Sequence, residues 1–126
     1  MIELFPKDVQ DLVGKPHKRD KRGPDEYDCW GICIEVYCRR GVGLPDYSTQ
    51  DLTHQQIWDL SNGYAKDHAD WIEEPEPWCF VFANGHVGLF HSGRVLHSAR
   101  GIGCVWQRIE EFQMVYPKSR FARWRP

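Results

Sequence analysis

The sequence lacks any apolar stretch long enough to cross a membrane. A membrane-spanning helix needs about 20 consecutive apolar residues, and no run of that length occurs in the chain. The apolar start, Met1 to Phe5, is too short for the core of a secretory signal, and Pro6, Lys7 and Asp8 interrupt it. We therefore expect no membrane insertion and synthesis in the cytoplasm, while delivery by another route stays open.

The chain also lacks an excess of charge of either sign. It has 16 Lys and Arg against 18 Asp and Glu, a net charge of -2 with histidine neutral. The basic runs Lys18 to Arg22 and Arg120 to Arg125 are short, which is typical of solvated surface. We therefore expect neither nucleic acid nor an anionic membrane as a partner.

The cysteines lack the pattern of a disulfide framework or a zinc knuckle. There are five, an odd number, and no pair has CxxC spacing; they lie at positions 29, 33, 38, 79 and 104. Without a secretory context such cysteines are expected to remain reduced. The sequence therefore predicts mostly reduced thiols, and we expect no cofactor and no bound metal.

What is present indicates a single α+β domain over residues 1–126. The length fits one domain, and 41% hydrophobic with 27% charged residues is an ordinary globular composition. Predicted helices come first. They cover residues 6–13, residues 29–40, and a segment from Thr53 toward residue 70 that opens with the capping box Thr53 to Gln56 and carries an apolar stripe to Trp71 or Ile72.

Short β-rich runs fill the second half of the chain. The runs are WCFVFA, HVGLFH, RVLHSA and GCVWQRI, and the tail MVYPKSRFARW offers one more strand. Turn residues separate them, at Asn84-Gly85, Ser92-Gly93 and Gly101 to Gly103. Helices followed by strands predict an α+β fold with a small antiparallel sheet.

One predicted hairpin brings two histidines together. If Ser92-Gly93 is a two-residue turn, His91 pairs with Arg94 and alternation places His86, Gly88, Val95 and His97 on one face. His86 and His97 are then diagonal neighbours, roughly 7–8 Å apart at the backbone. His91 points to the other face, and a three-residue turn would separate the pair.

The stretch YDCWGIC, residues 27–33, places a thiol at the predicted start of a helix. Asp28 fits the N-cap position, and Cys29 then lies in the first turn. There a helix dipole and a nearby imidazolium lower the pKa of a thiol to ~3.5–7.5, so we expect an activated nucleophile. The alternative is a buried cysteine that only fills space.

Together these residues resemble a papain-like cysteine peptidase of the NlpC type, whose members mostly cut the peptide cross-links and stems of bacterial peptidoglycan. The resemblance rests on residues 14–45 (GKPHKRDKRGPDEYDCWGICIEVYCRRGVGLP), HVGLF and GRVLH. It implies a papain-like fold, in which N-terminal helices, including the nucleophile helix, pack on a small antiparallel sheet. The tryptophan after the cysteine resembles bacteriophage tail-assembly members, which implies tail-tip proteins as partners and a place on the virion tail.

The resemblance also assigns roles by position. It implies that Cys29 is the nucleophile, His86 the general base and His97 the residue that orients His86. His17 lies twelve residues before the cysteine, where the family often has a tyrosine near the oxyanion site or the substrate backbone. Trp30 occupies the position after the nucleophile where the family commonly has a serine. Asp28 is expected to act mainly as the helix cap and secondarily as a substrate contact.

Two other functions compete with the peptidase. One is an inactive structural module of the tail tip that kept the fold, suggested by the departures from the family pattern at His17 and Trp30. The other is a zinc site, because Cys29, His86 and His97 supply ligands that suit zinc.

Overall fold

The computed structural model describes residues 1–46, 67–83 and 85–125. Its helical elements are a 3-10 helix (Pro6–Leu12), α1 (Cys29–Arg39) and α2 (Ile109–Val115). Its strands are β1 (Ala69–Ile72), β2 (Phe80–Ala83), β3 (His86–His91), β4 (Arg94–Ala99), β5 (Gly103–Arg108) and β6 (Arg120–Trp124). The α+β class is confirmed, and within the described ranges no helix is both long and apolar enough to span a membrane.

The six strands form one antiparallel sheet in the order β1-β6-β2-β3-β4-β5. Strands β2 to β5 are neighbours in sequence as well as in space, so short turns connect them. Strand β6 returns across the sheet and pairs with both β1 and β2. The histidine-bearing strands β3 and β4 therefore lie inside the sheet, each with a partner on both sides.

Helix α1 begins and ends where the sequence predicts. The Asp28 side chain accepts a hydrogen bond from the Gly31 backbone N–H at 2.7 Å, so the predicted N-cap is confirmed. Gly41 has a φ of 85°, and the Val42 N–H reaches back to the Tyr37 carbonyl at 2.9 Å. This is a Schellman ending, which requires a left-handed residue that glycine supplies without strain.

The two helices cover opposite faces of the sheet. Buried residues of α1, such as Ile32 and Val36, belong to the larger core together with Leu89 and Leu96 of the hairpin strands. On the other face, Phe112 of α2 is fully buried and forms a second core with inward-facing residues of the sheet: Val81, Val95, Phe90 and Phe121. Each buried side chain of this size stabilises the fold by about 1.5–3 kcal/mol.

Two sequence predictions about secondary structure are wrong. Residues 69–72 were predicted as the end of a helix but form β1, because antiparallel pairing with β6 outweighs the local apolar spacing. Residues 109–115 form α2, although strand was predicted at Ile109 and at the start of the C-terminal stretch MVYPKSRFARW. The earlier part of the predicted third helix, including the capping box at Thr53 to Gln56, lies outside the described residues.

The hairpin between β3 and β4 has the predicted register. His91 pairs with Arg94, Phe90 with Val95, and Leu89 with Leu96. Ser92 and Gly93 have φ values of 51° and 78°, and positive φ at both central residues is the signature of a type I′ two-residue turn. Alternation from this turn places His86, Gly88 and His97 on the face that α2 covers.

We predict that Gly88→Ala destabilises the protein by about 1–3 kcal/mol. A Cβ at Gly88 would lie 2.5 Å from Val95 Cγ1 and 3.1 Å from His97 Cβ, so the hairpin would have to shift. Urea unfolding would measure the loss. Gly43→Ala is the matched control, since a Cβ there meets nothing within 4 Å. Equal stability of the two variants would contradict the packing described here.

Candidate active site

The centre of the site is a pair of hydrogen-bonded imidazoles. His86 Nε2 lies 2.7 Å from His97 Nδ1, and the two side chains are only 8% and 3% exposed. His86 is the first residue of β3, and His97 lies across the hairpin on β4. Gly88 lies between them on the same face and leaves the space that both rings occupy. The predicted meeting of the two histidines is therefore found in the structure.

Helix α2 supplies an aromatic wall against both rings. Tyr116, just after the helix, stacks on His86 with ring centroids 4.8 Å apart and planes at 13°. Phe112 meets His97 edge-on at 5.1 Å. This wall was not predicted from the sequence, because α2 was not predicted. Aromatic residues at 112 and 116, spaced four apart like neighbours on one helix face, were the signal that could have revealed it.

A third polar side chain contacts the pair from the next strand. Gln107 on β5 places Oε1 3.0 Å from His97 Nε2, so both nitrogens of the His97 ring have a hydrogen-bond partner. Gln107 was not among the site residues predicted from the sequence. Its position follows from the register of β4 with β5, which no local motif reveals.

Cys29 comes to the site from the opposite face of the sheet. It is the first residue of α1, as predicted, and it is half-buried. The backbone N–H of Val87, the second residue of β3, is close enough to the thiol to favour the thiolate form. The thiol therefore lies near the start of β3. Among the described residues no hydrogen bond joins the thiol to His86 or His97. His86 uses Nε2 toward His97, so Nδ1 is the ring nitrogen left for the thiol.

The Cys29 thiol and the His86 imidazole are both neutral at rest. Burial, followed by the Asp28 carboxylate, raises the pKa of Cys29 to about 12, although the N–H groups of Val87 and Trp30 oppose the rise. Burial, followed by His97 and His17, lowers the pKa of His86 to about 3. The expected lowering of the thiol pKa is therefore wrong, because desolvation disfavours the charged form more strongly than the helix start favours it.

The Asp28 carboxylate accepts from three donors, one of which is the helix-capping N–H of Gly31. Oδ1 accepts from Gly31 N and from Arg22 Nη1, each at 2.7 Å, and Oδ2 accepts from Asp20 N at 3.0 Å. Asp28 is 4% exposed. Its lone pairs are thus committed to the protein, which makes it a structural anchor for the start of α1.

His17 lies beside the imidazole pair. Its Nδ1 is 3.0 Å from Ser98 Oγ, and that hydroxyl donates to the Tyr27 carbonyl at 2.7 Å. Its ring is close enough to lower the pKa of His86, and burial lowers the pKa of His17 itself. The structure therefore places His17 near His86.

Trp30 is directed into the core. It is 3% exposed, donates its indole N–H to the Pro45 carbonyl at 2.8 Å, and packs against Phe80. Its side chain is buried like that of Asp28, so neither of these two residues assigned to substrate binding has its side chain open to the surface. Its backbone N–H, by contrast, faces the Cys29 thiol.

No metal site is formed by the described part of the chain. No group of three or more His, Cys, Asp or Glu side chains there is arranged to hold an ion. Cys29, His86 and His97 therefore do not meet the geometry that the zinc hypothesis requires.

We predict that Asp28→Asn lowers the pKa of the Cys29 thiol, because it removes the nearest negative charge. The amide oxygen can still accept from Gly31, so α1 keeps a cap. Mass spectrometry of the Cys29 peptide after iodoacetamide treatment across a pH series would measure the shift. Asp11→Asn, which removes a carboxylate paired with Arg39 at the far end of α1, is the control. If Asp28→Asn left the pH dependence of Cys29 alkylation unchanged, the proposed effect of the Asp28 charge on the thiol would be contradicted.

We predict that the protein loses stability as the pH falls below 6.5. The folded state holds His86 neutral down to about pH 3, whereas the unfolded chain protonates it near 6.5, its ordinary value. The stabilisation is therefore complete above pH 6.5. Below that pH, protonation of His86 in the unfolded chain lowers the free energy of unfolding by up to about 1.4 kcal/mol per pH unit. Urea unfolding between pH 7.5 and 5 should show a smaller slope in His86→Gln. An identical slope would show that His86 is not held neutral.

The fold matches solved structures of the NlpC/P60 type. NlpC2 from Trichomonas vaginalis has a TM-score of 0.66 at 20% identity, covering 94% of this chain and 45% of NlpC2. A Staphylococcus aureus protein described as similar to lipoprotein, of the NLP/P60 family, has a TM-score of 0.58 at 19% identity, covering 94% of this chain and 42% of that protein. This chain thus spans less than half the length of either.

The sequence alone gives no such match. No protein-family model and no curated protein matches the chain. At identities of 19–20%, the likeness to the two solved structures is a likeness of fold. The chain has the α+β fold that those NlpC/P60 proteins share.

Proposed function

We propose that the protein is a cysteine endopeptidase that hydrolyses peptide bonds in the stem peptides of bacterial peptidoglycan. One observation carries the proposal. Within an NlpC/P60-like fold, the Cys29 thiol at the start of α1 lies near the start of β3, where His86 is hydrogen-bonded to His97. A thiol, a base and a group that orients the base are the parts that covalent acyl transfer needs.

The first half of the proposed reaction forms a thioester. Because the resting thiol and imidazole are both neutral, proton transfer from Cys29 Sγ to His86 Nδ1 accompanies attack of the sulfur on the scissile carbonyl carbon. The tetrahedral intermediate collapses when the His86 imidazolium gives that proton to the leaving amine. The C–N bond breaks, and the acyl group remains on Cys29.

The second half of the reaction regenerates the enzyme. Neutral His86 takes a proton from a water molecule, whose oxygen attacks the thioester carbonyl. The C–S bond breaks, and the proton returns to the departing sulfur. His97 holds the His86 ring in place through the 2.7 Å hydrogen bond during both halves.

Oxyanion stabilisation is assigned to groups around the sulfur. As the first residue of α1, Cys29 has a backbone N–H without an intrahelical acceptor, which suits a developing negative charge. His17 is proposed to contact the substrate backbone from the other side of the pair, with Nε2 as an acceptor because Nδ1 donates to Ser98. Asp28 is proposed to act indirectly, by holding the start of α1 in position. Trp30 is proposed to act through its backbone N–H.

We propose that the enzyme works as part of a phage tail, with tail-tip proteins as partners. The resemblance of the DCWG stretch to tail-assembly peptidases supports this setting. Synthesis in the host cytoplasm followed by assembly into the virion tail would bring the domain to the cell wall.

We predict that Cys29→Ala abolishes the release of peptides from purified peptidoglycan, because no other group replaces the nucleophile. Mass spectrometry of soluble fragments from walls of several bacteria would measure the activity. Cys38→Ala is the matched control, since Cys38 is an exposed thiol on the same helix, and it should keep full activity. Hydrolysis that persists in Cys29→Ala would contradict the assignment.

A second function, a catalytically inactive tail-tip module, is favoured by one observation. The Cys29 thiol is neutral at rest, with a pKa of about 12, and no hydrogen bond links it to an imidazole within the described residues. Iodoacetamide near pH 6 separates the two functions. In a peptidase His86 removes the thiol proton as the sulfur attacks the reagent, so Cys29 should be alkylated faster than the exposed Cys38. A module whose thiol has no working base beside it should show the reverse order.

A further inference from the structure

Gln107 completes a chain of hydrogen bonds that ends at the candidate base. It lies on β5, two residues beyond Val105, which is the register partner of His97. Side chains two residues apart on a strand share a face, so Gln107 and His97 are diagonal neighbours. The contact joins Gln107 Oε1 to His97 Nε2 at 3.0 Å.

The orientation of the Gln107 amide determines where the protons lie. Its carbonyl oxygen faces His97 Nε2 and can only accept, so in this orientation His97 carries its proton on Nε2. His97 Nδ1 is then a lone pair, and it can accept only from an Nε2–H of His86, at 2.7 Å. His86 therefore presents an unprotonated Nδ1, which is the atom that takes the thiol proton. Each ring is in its Nε2–H tautomer.

We propose that Gln107 is a positioning residue that sets the proton order of both imidazoles, so that His86 faces Cys29 as a base and not as a donor. The inference rests on the proposed peptidase function for its catalytic consequence, but the proton order itself is a property of the folded protein. Gln107 is proposed to act only through its hydrogen bond to His97.

A neutral acceptor suits this position better than a carboxylate. An amide orders the protons without drawing a positive charge onto His97, so the rings stay neutral within their aromatic surroundings. The titratable groups near the pair are Cys29 from α1, His17 from the N-terminal segment and Tyr116 after α2. Among the described residues, no carboxylate hydrogen-bonds to either ring.

Histidine ¹⁵N NMR tests the proton order directly. Two-bond ¹⁵N–¹H spectra of the wild type should show His86 and His97 both as Nε2–H tautomers near pH 7. In Gln107→Met the acceptor is lost, so a mixture or reversal of tautomers is expected at both rings. In Gln107→Glu the order should persist, while the carboxylate raises the pKa of the pair by about one unit. A wild type with Nδ1–H on His97 would overturn the proposal.

Kinetics test the catalytic consequence. In Gln107→Met, kcat/KM should fall on the order of tenfold or more at every pH, because the reversed tautomer points a proton at the sulfur. In Gln107→Glu the acidic limb of the pH profile should move up by about one unit. Gln10→Met, at an exposed position on the 3-10 helix, is the control. Urea unfolding of each variant verifies that it is folded at the assay temperature.

The two readouts separate this inference from the peptidase proposal. If no form of the protein cuts peptidoglycan while the tautomers change as described, the proposed function fails and the role of Gln107 in proton order stands. If the wild type is active and Gln107→Met keeps its tautomers and its pH profile, the role of Gln107 is wrong and the peptidase proposal stands.

Discussion

The hydrogen bond between His86 and His97 is the contact on which the site depends, and a two-residue turn makes it possible. Ser92 and Gly93 set the register that brings the rings to one face, and Gly88 leaves the room they fill. One extra residue in the turn would send His97 to the other face. The bond also has a direction, since the His97 nitrogen that does not face His86 is held by Gln107.

Burial decides the electrostatics of this pair and of the thiol beside it. The aromatic wall of α2 and the sheet remove water from the rings, so neutral imidazoles are favoured over imidazolium. The start of α1 does favour a thiolate, but desolvation and the Asp28 carboxylate outweigh it. In the proposed reaction, charge therefore develops at the site only when a proton crosses from Cys29 to His86. This differs from a site that stores a preformed thiolate.

The sequence predicted those parts of the site that local rules determine. The N-cap at Asp28, the position of Cys29 in the first turn and the pairing across Ser92-Gly93 each follow from residues close together in the chain. The α+β class followed from the order of helical and β-rich segments. What it missed depends on distant partners. Strand β1 exists because β6 pairs with it, α2 because a sheet face needs cover, and the Gln107 contact because β5 lies beside β4.

The central claim, that Cys29 attacks the substrate, can be tested by trapping its covalent intermediate. A stem-peptide substrate mixed with enzyme and quenched in acid within milliseconds should yield a protein heavier by the acyl fragment, and peptide mapping should place that mass on Cys29. Cleavage of the substrate with no such adduct, or with the acyl group on another residue, would contradict the account.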